Sequence, residues 1–251
     1  MNTLDFTGKR VWVTGAGQGI GLHTAMRFQA AGAEVVGLDK AFAESDYPFR
    51  TVTLDVTNPQ QVEQVCQQLL NERRRVDVLV NGAGILRLGN SDSLSLEDWN
   101  ACMAVNVTGP FLLFRQLVPV FKAQRSGAIV SIASNAAHVP RLNMAGYCAS
   151  KAALVALNHC AGLELAAHGV RCNLVSPGST DTPMLRDMVG DEAGLQRLVD
   201  GLPEQYKLSI PLGKIARPDE IANTVLFLAS DLASHITLQD IVVDGGATLA
   251  A

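Results

Sequence analysis

Tyr147 and Lys151 lie one helical turn apart in the stretch HVPRLNMAGYCASK, positions 138–151. A free tyrosine ionises near pH ~10 and is a poor base at neutrality. A lysine ammonium one turn along a helix stabilises the phenolate, and the positive ring of an oxidised nicotinamide adds to that. The pair therefore suits taking a proton from an alcohol that also loses a hydride, once a dinucleotide is bound. Alone, a Tyr and a Lys at this spacing are ordinary surface chemistry. Ser134 stands thirteen residues ahead of Tyr147, just past the apolar run Ala128–Ile132. A strand-end hydroxyl on the carboxyl edge of a doubly wound sheet sits where such folds bind ligand.

The dinucleotide has a candidate cradle. Between the run Val11–Thr14 and a helix from Ile20 onward lies Gly15-Ala-Gly17-Gln18-Gly19-Ile20-Gly21. Glycines allow a tight turn and let backbone N–H groups approach a pyrophosphate, while the helix presents its positive end to the same anion. Eighteen residues past Gly21 the next apolar run ends in Asp39. This is close to the spacing expected for a carboxylate on the adenosine ribose. Asp39 can accept from both ribose hydroxyls but repels a 2′-phosphate, and the glycine loop holds no Arg or Lys to offset that. Lys40 is adjacent, yet NAD is favoured over NADP.

These residues need a scaffold of strands and helices in alternation. Strands are expected at Val11–Thr14, Glu34–Leu38, Thr51–Leu54, Val76–Val80, Ala128–Ile132, Val170–Val175 and Ile241–Val243. Each is too short for a helix, rich in Val and Ile, and apolar almost throughout, as strands covered on both faces are. Asn58-Pro59, Ser95 before Glu97 and Asp98, and Pro218 before Asp219 and Glu220 read as helix starts. Strand–helix alternation implies an α/β fold, a single-domain doubly wound parallel sheet of about seven strands spanning 1–251. From 182 to 211 the rhythm breaks, with Gly190, Gly194, Gly201 and Pro203 among mixed charges. An irregular lid over a site and a variable surface excursion are both open readings there.

Composition narrows the partners. The 251 residues are 48% hydrophobic and 18% charged, which suits a well-buried core, and the formal net charge of −4 offers no basic field for nucleic acid or an anionic membrane. Cys66, Cys102, Cys148, Cys160 and Cys172 are odd in number and scattered, so they read as core residues in a reducing compartment, not as disulfides or metal ligands. No metal site is expected. The opening MNTLDFTGKRVWVTG lacks a secretory pattern, and no run approaches a membrane span, so a cytoplasmic protein is expected.

Taken in order, Thr14-Gly-Ala-Gly-Gln-Gly-Ile-Gly21, Asn81-Gly82-Ala83-Gly84, Asn106, Ser134, Tyr147-Cys-Ala-Ser-Lys151 and Pro177-Gly178 resemble the short-chain dehydrogenase/reductase family over essentially the whole chain. The resemblance implies that Tyr147 is the acid/base, that Ser134 orients the substrate oxygen and that Lys151 holds the nicotinamide ribose while lowering the Tyr pKa. It also implies that Asn106 anchors a proton-relay water and that Asp55 and Val56 meet the adenine. Asn81, Gly82, Ala83, Pro177, Gly178, Thr180 and Thr182 would complete the cofactor wall, Thr182 at the carboxamide. Gly82 departs from the Asn or Ala of many members, though the position tolerates small residues.

Longer stretches, among them KLSIPLGKIARPDEIANTVLFLASDLASHITLQDIVVDGG, resemble a branch of that family acting on cyclic dihydrodiol carboxylates. That resemblance implies a carboxylate-bearing small-molecule substrate and docking to a downstream aryl-acid-activating enzyme. Arg87 and Arg141 are then candidates for the carboxylate, since guanidinium forks bind it bidentately. Each is equally readable as a solvated charge. His138 is a weaker candidate. Met144, Met184, Leu185 and Met188 are either an apolar wall for the ring or core filling. Ala149, Ala152, Ala153 and Ala156 put small residues on the Lys151 helix, which the family uses for subunit contacts, so a homotetramer is implied. The competing expectations are a 3-oxoacyl-carrier-protein reductase or another NAD(P)-dependent short-chain alcohol dehydrogenase, and a catalytically silent NAD-binding scaffold.

Overall fold

A computed structural model of the chain describes residues 4–43 and 46–249. Its strands are β1 (Arg10–Thr14), β2 (Glu34–Asp39), β3 (Arg50–Thr53), β4 (Val78–Asn81), β5 (Gly127–Ile132), β6 (Val170–Pro177) and β7 (Asp240–Val243). They form one sheet in the order β3-β2-β1-β4-β5-β6-β7, every neighbour parallel. The helices between them are α1 (Gly19–Ala30), α2 (Pro59–Glu72), α3 (Leu96–Met103), α4 (Gly109–Gln124), α5 (Ala145–Ala166), α6 (Pro183–Val189), α7 (Glu192–Asp200) and α8 (Pro218–Ala229). The expected doubly wound sheet with helices on both faces is the fold observed. Strand order reverses between β1 and β4, and the crevice at their carboxyl ends is where such a sheet receives a ligand.

The near-continuous apolar strands have a direct cause. Successive side chains of a strand point to opposite faces. Val11 and Val13 join Phe28 and Val225 on one face, under α1 and α8, while Trp12 joins Leu69, Leu117 and Leu165 on the other, against α2, α4 and α5. Both faces of the central strands are therefore mainly apolar, and the polar side chains buried there, such as Asn81 and Ser131, pair with one another. The helix starts are capped as their residue types demand: Asn58 Oδ1 accepts from Gln61 N at 3.0 Å, and Ser95 Oγ from Asp98 N at 3.0 Å. The run Leu96–Gln124 is long and apolar enough by length and composition to cross a membrane. Its Leu112, Leu113, Leu117 and Phe121 are spent on the sheet's core.

Two expectations are corrected. Strand β4 begins at Val78, because Val76 is bound at both its N–H and C=O by the Gln124 side chain, at 2.9 and 2.8 Å. The 182–211 stretch is largely helical. Thr182 Oγ1 caps α6 and Asp191 Oδ1 caps α7, and the glycines that suggested irregular chain, Gly190 and Gly201, are helix stops at φ 84° and 95°.

One polar group of the core carries no sequence signal. Arg10, 1% exposed at the start of β1, donates to Leu69 O at 2.9 Å and Arg73 O at 2.7 Å, and pairs with Glu34 at 3.0 Å. It gives the Arg73 carbonyl just past α2 a side-chain donor, adds a second donor to Leu69 O, which also takes Arg73 N, and so fixes that helix against the sheet. Replacing Arg10 with Ala is expected to destabilise the chain by about 3 kcal/mol, because carbonyls and a carboxylate lose their buried partner. Urea denaturation measures this, and a loss under about 0.5 kcal/mol, the range of ordinary surface changes, would refute the assignment.

Candidate active site

Behind the crevice lies a single cavity of about 600 Å³, which runs from the end of β2 past β1 and β4 to α6 and α7. Its adenosine-side wall is set by close backbone approach. Gly15 is at φ +71°, and a Cβ there would lie 2.7 Å from the backbone of Gly82; at Gly21 it would meet Gly15 O at 2.0 Å. No side chain larger than hydrogen fits at either place. Helix α1 opens at Gly19 after Gln18, which offers no side-chain cap, so first-turn N–H groups remain open toward the cavity. Gly15, Gln18, Gly19, Ile20 and Gly21 line it; Gly17 does not, and instead donates its N–H to Asp39 Oδ2 at 2.9 Å. Asp39 is thereby held at the carboxyl end of β2 facing the cavity. Asp55 and Val56 line the same end, and Thr57, through its N–H and hydroxyl, holds the Asp55 carboxyl below its ordinary range.

This cradle fits a dinucleotide. An uncapped helix start and glycines packed to backbone distance suit a pyrophosphate, and a β2-terminal carboxylate suits a ribose diol. Gly82, Ala83, Pro177, Gly178, Thr180 and Thr182 form the wall further along, while Asn81 lies one layer behind, its Nδ2 donating to Ser131 Oγ at 3.0 Å. Sequence reasoning missed the role of Thr14. Its Oγ1 accepts from both Gly82 N (3.1 Å) and Ala83 N (3.2 Å), joining the β1 and β4 loops at the switch point. Its place as the last residue of an apolar strand was the available signal.

Ser134, Tyr147 and Lys151 meet at the cavity's other end. Lys151 is 4% exposed, donates to Ile132 O at 2.8 Å, and lies 5.7 Å from the centre of the Tyr147 ring. Burial brings its ammonium down to about 8. Enclosure pushes the Tyr147 phenol up to about 12, and a hydrogen bond with Ser134 opposes that rise only in part. In the chain by itself desolvation is the largest influence on the phenol, and it acts against the lowering expected of Lys151.

Asn106 sits in a π turn, Ala104–Thr108, that interrupts the run from α3 to α4. Its side chain clamps the β4 loop, accepting from Ile85 N at 2.9 Å and donating to Ile85 O at 3.0 Å. It also donates to Ser150 Oγ at 2.9 Å, and Ser150 donates to Tyr147 O at 2.8 Å. Asn106 thus does not line the cavity; it fixes the start of α5 relative to the β4 loop.

The substrate candidates separate. Arg141 and Met144 line the cavity, as do Met184, Leu185 and Met188. Arg87 is turned to solvent and paired with Asp98 at 3.1 Å, and His138 is paired with Asp240 at 2.8 Å; neither reaches the cavity wall. Both expectations are corrected, since each side chain already has a carboxylate remote in sequence. Lys207, which sequence reasoning passed over, does line the cavity.

A family model described as enoyl-(acyl carrier protein) reductase matches residues 15–248. The chain is 63% identical to 2,3-dihydro-2,3-dihydroxybenzoate dehydrogenase of Escherichia coli strain K12 over 249 residues, 99% of this chain and all of that one. It is 41% identical to the enzyme of the same description from Bacillus subtilis strain 168, covering 99% of each. Among solved structures, the ligand-free aldohexose dehydrogenase of Thermoplasma acidophilum superposes with a TM-score of 0.88 at 32% identity, covering 99% of this chain and 96% of that one.

The raised phenol gives a sign that can be measured. In cofactor-free protein, ultraviolet difference titration against Tyr147→Phe is expected to place this ionisation near pH 12. Ionisation at or below the free-tyrosine value of about 10 would mean that lysine attraction, not desolvation, dominates.

Proposed function

The chain belongs to the short-chain dehydrogenase/reductase family, and on that premise we propose that it oxidises the C3 hydroxyl of 2,3-dihydro-2,3-dihydroxybenzoate, with NAD⁺ as acceptor, to yield 2,3-dihydroxybenzoate for catecholate siderophore biosynthesis. The observation that carries the reading is full-length identity of 63% to an enzyme of that description. The cavity supports it with a carboxylate at the adenosine end, a hydroxyl–phenol–ammonium group at the other, and apolar Met144, Met184 and Met188 between.

The glycine loop, Asp39 and Lys151 would hold NAD⁺, which would supply the acceptor for the C3 hydride. The rest falls to the chain's own residues. Ser134 and Tyr147 hold the C3 hydroxyl between them, and Tyr147 Oη takes its proton as the carbonyl forms. Lys151 keeps a positive charge beside the phenolate, against the desolvation that otherwise raises it. The ketone then enolises, C2 giving up its proton and the C3 oxygen taking one up, to yield the catechol; aromaticity draws the sequence toward oxidation. Asp39 favours NAD over NADP, because a 2′-phosphate beside that carboxylate meets like charge. Asn106 positions α5, through Ser150, for the family's proton relay.

The proposal extends to a cytoplasmic homotetramer that docks to the downstream aryl-acid-activating enzyme. Exposed Phe111 on α4 and Leu163 on α5, the latter 71% exposed, support the subunit contact.

Incubation with NAD⁺ and the dihydrodiol acid is expected to produce NADH absorbance and catechol fluorescence together. Tyr147→Phe is expected to lower kcat by at least about 10²-fold, the scale of a lost general base, without altering the circular dichroism. Turnover of an acyl thioester with NADPH, and none of the dihydrodiol acid, would instead identify a carrier-protein reductase. Asp39→Ala is expected to narrow the preference for NAD⁺ over NADP⁺, read as the ratio of kcat/KM values.

A further inference from the structure

The cations around the lid helices are almost all matched. Arg186 is held by Asp181 and Glu192, Arg197 by Glu204, and Lys214 by Glu220. Two are not. Arg141, in the loop between Ser134 and α5, and Lys207, beyond α7, line the same cavity, and among the described residues no ion pair involves either. Arg141 Nη2 is buried without a hydrogen-bond partner, and Lys207 Nζ has only Ser179 Oγ, at 3.5 Å. A buried guanidinium N–H left unpaired is costly, so this one is open to a water or to an anionic group entering the cavity.

The carboxylates of the cavity wall cannot serve. Asp39 and Asp55 stand at its adenosine end. Asp244 influences Arg141 only from a distance, since its oxygens are taken by Thr248 N (3.0 Å), Thr248 Oγ1 (2.7 Å), Gly246 N (2.9 Å) and Asn135 Nδ2 (3.2 Å). The placing of Lys207 is also specified by the backbone. Leu202 and Lys207 exchange both backbone hydrogen bonds, at 2.8 and 3.1 Å, around a turn that holds Tyr206 in the left-handed region at φ 54°. A left-handed tyrosine costs about 1 kcal/mol or more. Tyr206 is itself 87% exposed and gains no packing there, so what the turn secures is the inward aim of the next residue.

We propose that Arg141 and Lys207 together form the seat for the substrate's carboxylate, one cation from the catalytic loop and the other from the far end of the lid segment. This rests on the dihydrodiol-acid reading above and adds a residue and a geometry to it. The seat shares its cavity with Ser134 and Tyr147, so a ring anchored by its carboxylate presents a nearby hydroxyl to them. It also ties the 182–211 segment to the sheet edge whenever an aryl or cyclohexadienyl carboxylate is bound. The two positive charges act on each other: burial, and then the neighbouring guanidinium, bring Lys207 down to about 8, as for a pair short of its counter-ion.

The test uses binding as well as turnover. Calorimetric titration of the NAD⁺-loaded protein with 2,3-dihydroxybenzoate is compared across wild type, Lys207→Met, Arg141→Met and Lys207→Arg. Each Met variant is expected to weaken binding about tenfold or more, the scale of one charged hydrogen bond, while Lys207→Arg stays within a few-fold of wild type. With the dihydrodiol acid, Lys207→Met is expected to raise KM by a similar factor with kcat changed far less, and NAD⁺ affinity checks that the fold is intact. Unchanged carboxylate binding in Lys207→Met, or binding of the neutral amide as tight as the acid, would overturn the seat. If the carboxylate binds through these residues but wild type makes no NADH from the dihydrodiol acid, the seat stands and the substrate reading fails.

Discussion

The close approach of the β1 and β4 loops is the constraint on which the rest of the site depends. Thr14 Oγ1 takes the N–H groups of Gly82 and Ala83, and Gly15 lies so near Gly82 that a Cβ would be 2.7 Å from its backbone. That contact closes the switch point of the sheet from beneath. It sets where α1 begins, hence where its open N–H groups point, and how far the β4 loop stands from α5. Asn106 then fastens the β4 loop at Ile85, and Ser150 carries the registration to Tyr147. Cradle and catalytic group are thus held to one another by a short chain of hydrogen bonds, buried at Asn106–Ser150 and part-buried elsewhere, at the point where both halves of the fold meet.

Desolvation governs the electrostatics that this framework encloses. The same burial moves the phenol up and the ammonium down, so each member of the Tyr147–Lys151 pair is less readily charged than in water. A pair arranged in this way is a weak base until a further positive charge arrives. On the proposed reading, a nicotinamide ring bound beside the pair would supply that further positive charge. An enzyme built on a permanently ionised tyrosine would need that residue nearer to water, and would lose the dry environment that strengthens the interaction.

What could be read from the sequence followed the range of the interactions involved. Central strands buried on both faces are continuous apolar runs, and the more exposed edge strands β3 and β7 still carry β-branched residues, so all seven were found within two residues of their observed ends. The glycine loop and Asp39 are local signals and could be read as well. The 182–211 segment was misjudged because Gly190 and Gly201 look like loop residues, yet each follows a helix of its own. Arg87 and His138 were misplaced for a different reason: their partners, Asp98 and Asp240, are fixed by tertiary packing, and sequence proximity to Tyr147 says nothing about it. Lys207 and Arg10 gave no local pattern. Each is identified only by what surrounds it, in one case by missing carboxylates and in the other by the carbonyls that end α2.

Charge is distributed unevenly along the cavity. Asp39 and Asp55 stand at one end, with Lys40 beside them, and Arg141, Lys151 and Lys207 stand with Ser134 and Tyr147 at the other. On the proposed reading, a dinucleotide carrying an extra phosphate would meet the Asp39 carboxylate at the first end, while a substrate without an anionic group would leave two cations unsatisfied at the second. Selection at each end works by the cost of an unmatched charge in a poorly solvated place, which discriminates more sharply than added apolar contact. The negative charge of the whole chain plays no part in this, because surface charges are screened within a Debye length whereas these groups face an enclosed space. It follows that cofactor and substrate choice are separable: a change at Asp39 alters the first without reaching the second, since the length of the cradle stands between them.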